Sequence, residues 1–139
     1  MSTLAPILVA ASAAVILMLG LAHLLFTFHG PKLLPRDVDL KTRMSEVSPV
    51  ITRETTMWKC WIGFNASHSS GAILFGTMFA YLSLWHSAVF FHSTVLQLLG
   101  LLFLAGYIFL GKRYWFSIPF RGIILATALY VTALLVNWV

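Results

Sequence analysis

Carboxylates are nearly missing from this chain. Asp37, Asp39, Glu46 and Glu54 are the only ones, and all four fall in the segment from His29 to Thr56. That distribution excludes di-iron carboxylate chemistry and an intramembrane aspartyl protease, which both need acidic side chains within the apolar helices. Cysteine is equally scarce. Cys60 stands alone, so no intramolecular disulfide can form, and beside Lys59 it reads as a small packing residue rather than a reactive thiol. There is no G-x-S-x-G elbow, and the adjacent Ser67 and His68 point about 100° apart on a helix, so a serine-hydrolase reading fails. Nor is there a covalent haem-attachment motif.

Charge of either sign is thin. Only 9% of the 139 residues are charged against 60% hydrophobic, and the stretches Leu4 to Phe28 and Trp61 to Gly111 hold no Asp, Glu, Lys or Arg. With a mean hydropathy of +0.91, a water-soluble domain of this size could not hide so much apolar surface, whereas lipid-facing helices require it. The net charge of +5 does not indicate nucleic acid, because the basic residues are too few and too scattered to form a phosphate-tracking face.

Four apolar segments are present: about 4–28, 57–85, 89–110 and 118–138. At 1.5 Å per residue each can cross a hydrocarbon core of about 30 Å. The first reads as a retained helix rather than a secretory signal, since "MSTLAP" has no positive charge, the apolar run is too long and no small-residue cleavage site follows. Residues 29–56 form a long loop punctuated by Gly30, Pro31, Pro35 and Pro49. Within it Asp37 is placed to cap a short helix with Leu40, Met44 and Val47 on one side, suited to lying on a membrane surface.

Orientation follows from the nine Lys and Arg. Six lie in or beside the long loop, and Lys112, Arg113 and Arg121 mark the last turn, while the two termini and "HSAVFFH" have none. The positive-inside rule then predicts both termini outside and the long loop in the cytoplasm. Trp58, Trp61, Tyr114 and Trp115 would form the cytoplasmic aromatic belt, with Trp85 and Trp138 in the opposite one.

Each apolar segment has one seam of small or polar residues. They are Ala13, Ile16, Gly20, His23 and Thr27 on the first; Gly63, Ser67 and Gly71 on the second; Ser93, Gln97, Gly100 and Tyr107 on the third; and Pro119, Gly122, Ala126, Tyr130, Ala133 and Asn137 on the fourth. Turning these seams inward predicts an all-α antiparallel four-helix bundle in the membrane, as a single transmembrane domain.

The second segment also offers Glu54, Trp58, Trp61, Asn65 and His68 on one face, about 130° from the glycine and serine stripe. Counting inward from the interface, His68 lies roughly 10 Å and His23 roughly 8 Å deep, with Tyr107 at a similar level. His23, Thr27, Asn65, His68 and Tyr107 therefore define a candidate polar layer in the cytoplasmic leaflet. Its plain reading is helix-to-helix hydrogen bonding. Its functional readings are a site for a small or lipidic ligand, with Arg121, Arg113, Arg53 and Lys59 at the rim holding a phosphate or carboxylate, or a b-type haem between His23 and His68. For the basic residues, positive-inside topology is the simpler explanation. A zinc or copper site lacks a third and fourth ligand at that level. Expected partners are membrane lipids and a second copy or another membrane subunit packed on exposed small residues, with no nucleic acid.

The stretches "SPVITRETTMWKCWIGFNASHSSG", "TFHGPKLLPRD" and "KRYWFSIPFRGI" resemble a family of small bacterial four-span membrane proteins. The resemblance runs along nearly the whole chain. It implies a single-domain, four-helix integral protein of the bacterial cytoplasmic membrane, and it implies no activity, cofactor or catalytic residue.

Overall fold

A computed structural model describes residues 3–138. It is all-helical, with no strand among the described residues: α1 Leu4–Phe28, α2 Val38–Glu46, α3 Met57–Trp85, α4 Ser87–His92, α5 Thr94–Tyr114 and α6 Ser117–Trp138. Among these, α1, α5 and α6 are long and apolar enough to cross a membrane. Helix α3 has the length, 29 residues, but Asn65, His68 and its serines hold it apart from that group.

Two expectations change at this level. The third apolar segment does not start at Val89. "SAVFFH" forms its own short helix, the chain breaks at Ser93, and the Ser93 hydroxyl caps α5 by accepting from the Leu96 amide. Apolar stretches flank His92, Ser93 and Thr94 on both sides, so averaged hydropathy joins what these three residues separate. Glu54 also falls outside α3, in the preceding loop, so it cannot share the helical face proposed for it with Asn65.

The described chain groups into two compact units: residues up to Leu19 with those from Ala72 onward, and Gly20–Gly71. The first is the apolar one. Ala5, Val9, Ala13 and Ile16 are buried along α1, Ala72, Phe75 and Phe79 along α3, and Ile123, Ala126, Tyr130 and Ala133 along α6. These are helical spacings of three and four, which is why each helix presents one inward face. Phe75 stacks on Phe79 and Phe103 with ring centroids 4.3 and 4.1 Å apart.

Close approach depends on two glycines. A Cβ at Gly76 would stand 2.6 Å from Leu17 Cβ and 2.7 Å from the Ala13 carbonyl oxygen, so α1 and α3 touch backbone to backbone there. A Cβ at Gly100 would collide with the Tyr130 ring, which crosses α5 to donate from its hydroxyl to the Gln97 carbonyl at 3.1 Å. Ser12 adds a hydroxyl bond from α1 to the Ala126 carbonyl of α6 at 2.7 Å. Contacts of Gly111 with Phe120 and of Gln97 with Tyr130 make α5 and α6 an antiparallel hairpin.

The second unit is built from the end of α1, the loop with α2, and the start of α3. Helix α1 stops after Phe28, and Gly30 takes the left-handed φ of +82° that a side chain would oppose. Helix α2 begins as expected at Asp37, whose carboxylate accepts from the amides of Asp39 and Leu40. Val47 then ties the loop to α3 by accepting from the Met57 amide at 2.8 Å.

Candidate functional site

The polar layer lies in the Gly20–Gly71 unit. His23 on α1 meets Asn65 on α3, Nε2 to Oδ1, at 2.9 Å. The Asn65 amide nitrogen donates to the Trp61 carbonyl at 2.8 Å, which assigns Oδ1 as the acceptor and hence Nε2 of His23 as the protonated nitrogen. His68, one turn further on α3, sets its ring edge-to-face against that of His23, with centroids 5.3 Å apart and planes at 84°.

Neighbouring hydroxyls turn inward on their own helices. Thr27 donates to the His23 carbonyl and Ser69 to the Asn65 carbonyl, each at 2.8 Å. Both residues are buried, Ser69 completely. On the loop side the Trp61 indole donates to the Leu33 carbonyl at 3.1 Å, pinning the segment after α1 to the first turns of α3. Successive acceptors thus link Leu33, Trp61, Asn65 and His23 across two helices and the loop. The sequence reasoning missed Ser69 and the Trp61 indole. Ser69 had a readable signal, since it lies four residues after Asn65 and within about 40° of it round the helix.

Tyr107 and Arg121 belong to the other unit. The Tyr107 ring packs on Phe103 at 4.3 Å and on Trp115 at 5.6 Å, and Arg121 is exposed in the opening turns of α6. Within the Gly20–Gly71 unit, His23, Thr27, Asn65 and His68 come together.

The glycine and serine stripe of α3 is also not where it was expected. Gly63, Ser67 and Gly71 are exposed, and a Cβ at Gly63 or Gly71 would meet nothing within 4 Å. Asn65, Ser69, Ala72, Gly76 and Phe79 occupy the opposite side of the helix, about 160° away from centre to centre. Helix α3 thus has one interior side, polar from Asn65 to Ser69, apolar from Ala72 to Phe79 and polar again at Ser83, and the close contact with α1 is made at Gly76 rather than at the stripe.

A bis-imidazole haem needs both histidines to aim a bare ring nitrogen at one iron, with the macrocycle between the rings. The edge-to-face pair, with Nε2 of His23 protonated and bound to Asn65, does not fit that arrangement. Among the described residues no three His, Cys, Asp or Glu side chains come together as metal ligands. What the geometry can do is satisfy polar groups in an apolar setting and hold two helices and a loop in register.

No protein-family model, curated protein or solved structure matches the chain.

Proposed function

We propose that this is a four-span protein of the bacterial cytoplasmic membrane whose polar layer is a structural latch. Both termini face outward, residues 29–56 lie in the cytoplasm, and α3 is the fourth spanning helix. The observation that carries the latch is the hydrogen-bonded series from His23 through Asn65 and Trp61 to Leu33. Each of the His23, Asn65 and Trp61 nitrogens in it has an acceptor within the chain, as polar groups facing hydrocarbon require. Support for α3 as a span comes from its 29 residues and from the polar side chains turned to the same side as its buried Ala72, Phe75 and Phe79. The bacterial assignment rests on the resemblance to the small four-span family.

A double-mutant cycle of His23→Phe and Asn65→Leu, read as unfolding free energy in detergent, tests the latch. The coupling expected is about 0.6–1.7 kcal/mol. Additive effects would remove the latch. A Soret band in protein purified with ample haem supply, or a small molecule retained until His68→Ala releases it, would favour occupancy of the layer over a structural role.

A further inference from the structure

The apolar unit carries three cations and no carboxylate side chain to pair with them. Lys112, Arg113 and Arg121 are its only charged side chains, and all three are exposed, while every Asp and Glu of the chain falls between residues 37 and 54, in the other unit. Positive-inside topology accounts for cations at this end of α5 and α6, but not for the way each one faces.

Direction follows from the hairpin contact. A Cβ at Gly111 would stand 3.0 Å from the Phe120 ring and 3.7 Å from Ile123, so Gly111 faces α6, and Phe120 and Ile123 face back. At 3.6 residues per turn, Lys112 lies about 100° round α5 from that contact, and Arg121 about 130° round α6 from the midpoint of Phe120 and Ile123. The helices run antiparallel and both wind right-handed, so the two rotations carry Lys112 and Arg121 to the same side of the hairpin. Their heights differ by no more than about 3 Å, since each stands one residue from the Gly111 and Phe120 contact. Arg113, about 200° round from Gly111, comes out on the far side of α5, with its guanidinium 5.6 Å from the Tyr114 ring.

The shared side is the outward one. The same winding brings Ala105, Ile124 and Ala128 to it, and all three are exposed, whereas Phe103 on the opposite side stacks on Phe75 of α3 at 4.1 Å. Two cations thus stand at the head of an exposed apolar strip, on helices whose axes lie about 8–10 Å apart, close enough for both to reach one phosphate.

We propose that Lys112 and Arg121 form a pincer for the phosphate of one anionic phospholipid, whose acyl chains lie along the strip of Ala105, Ile124 and Ala128. Charge complementarity selects the occupant. Helices α5 and α6 are both long and apolar enough to cross a membrane, which sets the strip against hydrocarbon and the pincer at head-group level, where Lys and Arg favour anionic lipid. This rests on the membrane reading above, and it uses none of His23, Asn65 or His68.

The test uses full-length protein in mild detergent, given equal phosphatidylglycerol and phosphatidylcholine with matched acyl chains and read by native mass spectrometry. One retained phosphatidylglycerol is expected, with a preference of roughly tenfold over phosphatidylcholine. Lys112→Gln combined with Arg121→Gln should bring the preference near unity, whereas Arg113→Gln, an equal loss of charge per site at the same turn, should leave it unchanged. Lys112→Arg should keep it. Excess inorganic phosphate should not displace the lipid. Equal retention of the two lipids by the unaltered protein overturns the proposal. So does a loss on Arg113→Gln as large as that on Lys112→Gln or Arg121→Gln alone, which would make the preference one of general surface charge, and so does displacement by phosphate. Carbonate extraction of the membranes separates the two claims: release of the protein into the soluble fraction refutes the membrane reading, whereas pelleted protein without lipid preference refutes the pincer alone.

Discussion

Asn65 makes the clearest case at the scale of single residues, because its amide uses both ends: the oxygen accepts from His23 and the nitrogen donates to the Trp61 carbonyl. Part of this was legible in advance. Helical spacing put Asn65 and His68 on one side of α3, and counting from the interface put His23 at a matching height. Depth along a helix carries no direction round it, so it names candidates and not contacts; the Tyr107 ring, in the other unit, packs on Phe103 and Trp115. The glycines make the same point with opposite outcomes. Gly63, Gly71 and Gly76 look alike as small residues on one helix, yet only Gly76 meets a neighbouring backbone. Gly76→Ala should therefore destabilise the fold by about 1–3 kcal/mol, as overpacking does. Gly71→Ala, open on that side, should be neutral or stabilise by up to ~1 kcal/mol through helix propensity. Unfolding in detergent of the two variants side by side checks the pair, and equal losses would contradict the assigned interior side of α3.

Among the elements, α2 is the one that depends most on its cap. The Asp37 carboxylate accepts from the amides of Asp39 at 2.9 Å and Leu40 at 3.3 Å, and α2 has no buried residue to hold it otherwise. Asp37→Ala should cost the helix about 1 kcal/mol and speed hydrogen exchange of its first-turn amides about fivefold, with the amides of α5 and α6 unaffected. Unchanged exchange in α2 would mean that its contacts, not its cap, hold it. Helix ends were read best where a capping residue stands in a polar loop, as at Asp37, and worst where a short polar interruption lies between apolar stretches, as at His92, Ser93 and Thr94 before α5. Ser93 carried the signal for that break, a serine directly before a helix, but an apolar stretch on both sides outweighed it. The same balance predicts that Ser93→Ala, which removes the cap, weakens the start of α5 by about 0.5–2 kcal/mol and exposes the Leu96 amide to exchange.

At the scale of the whole molecule, hydropathy and charge separate into three helices that can span by composition and a fourth, α3, that can span by length. The side chains that lower its hydropathy include Asn65 and Ser69, which it turns inward, as well as the exposed Ser67 and Ser70, so average hydropathy undercounts a helix whose interior is partly polar. Whether α3 crosses decides the parity of the topology. With α3 spanning, α2 and the α4 turn lie on opposite sides of the membrane; without it, they lie on the same side. The positive residues flanking α2 and their absence from "HSAVFFH" favour opposite sides. The direct measurement is labelling by a membrane-impermeant maleimide in a Cys60→Ser background carrying either Ser45→Cys in α2 or Ser87→Cys in α4. In intact cells Ser87→Cys should label and Ser45→Cys should label only after the membrane is opened. Labelling of both from the same side would contradict the four-span account.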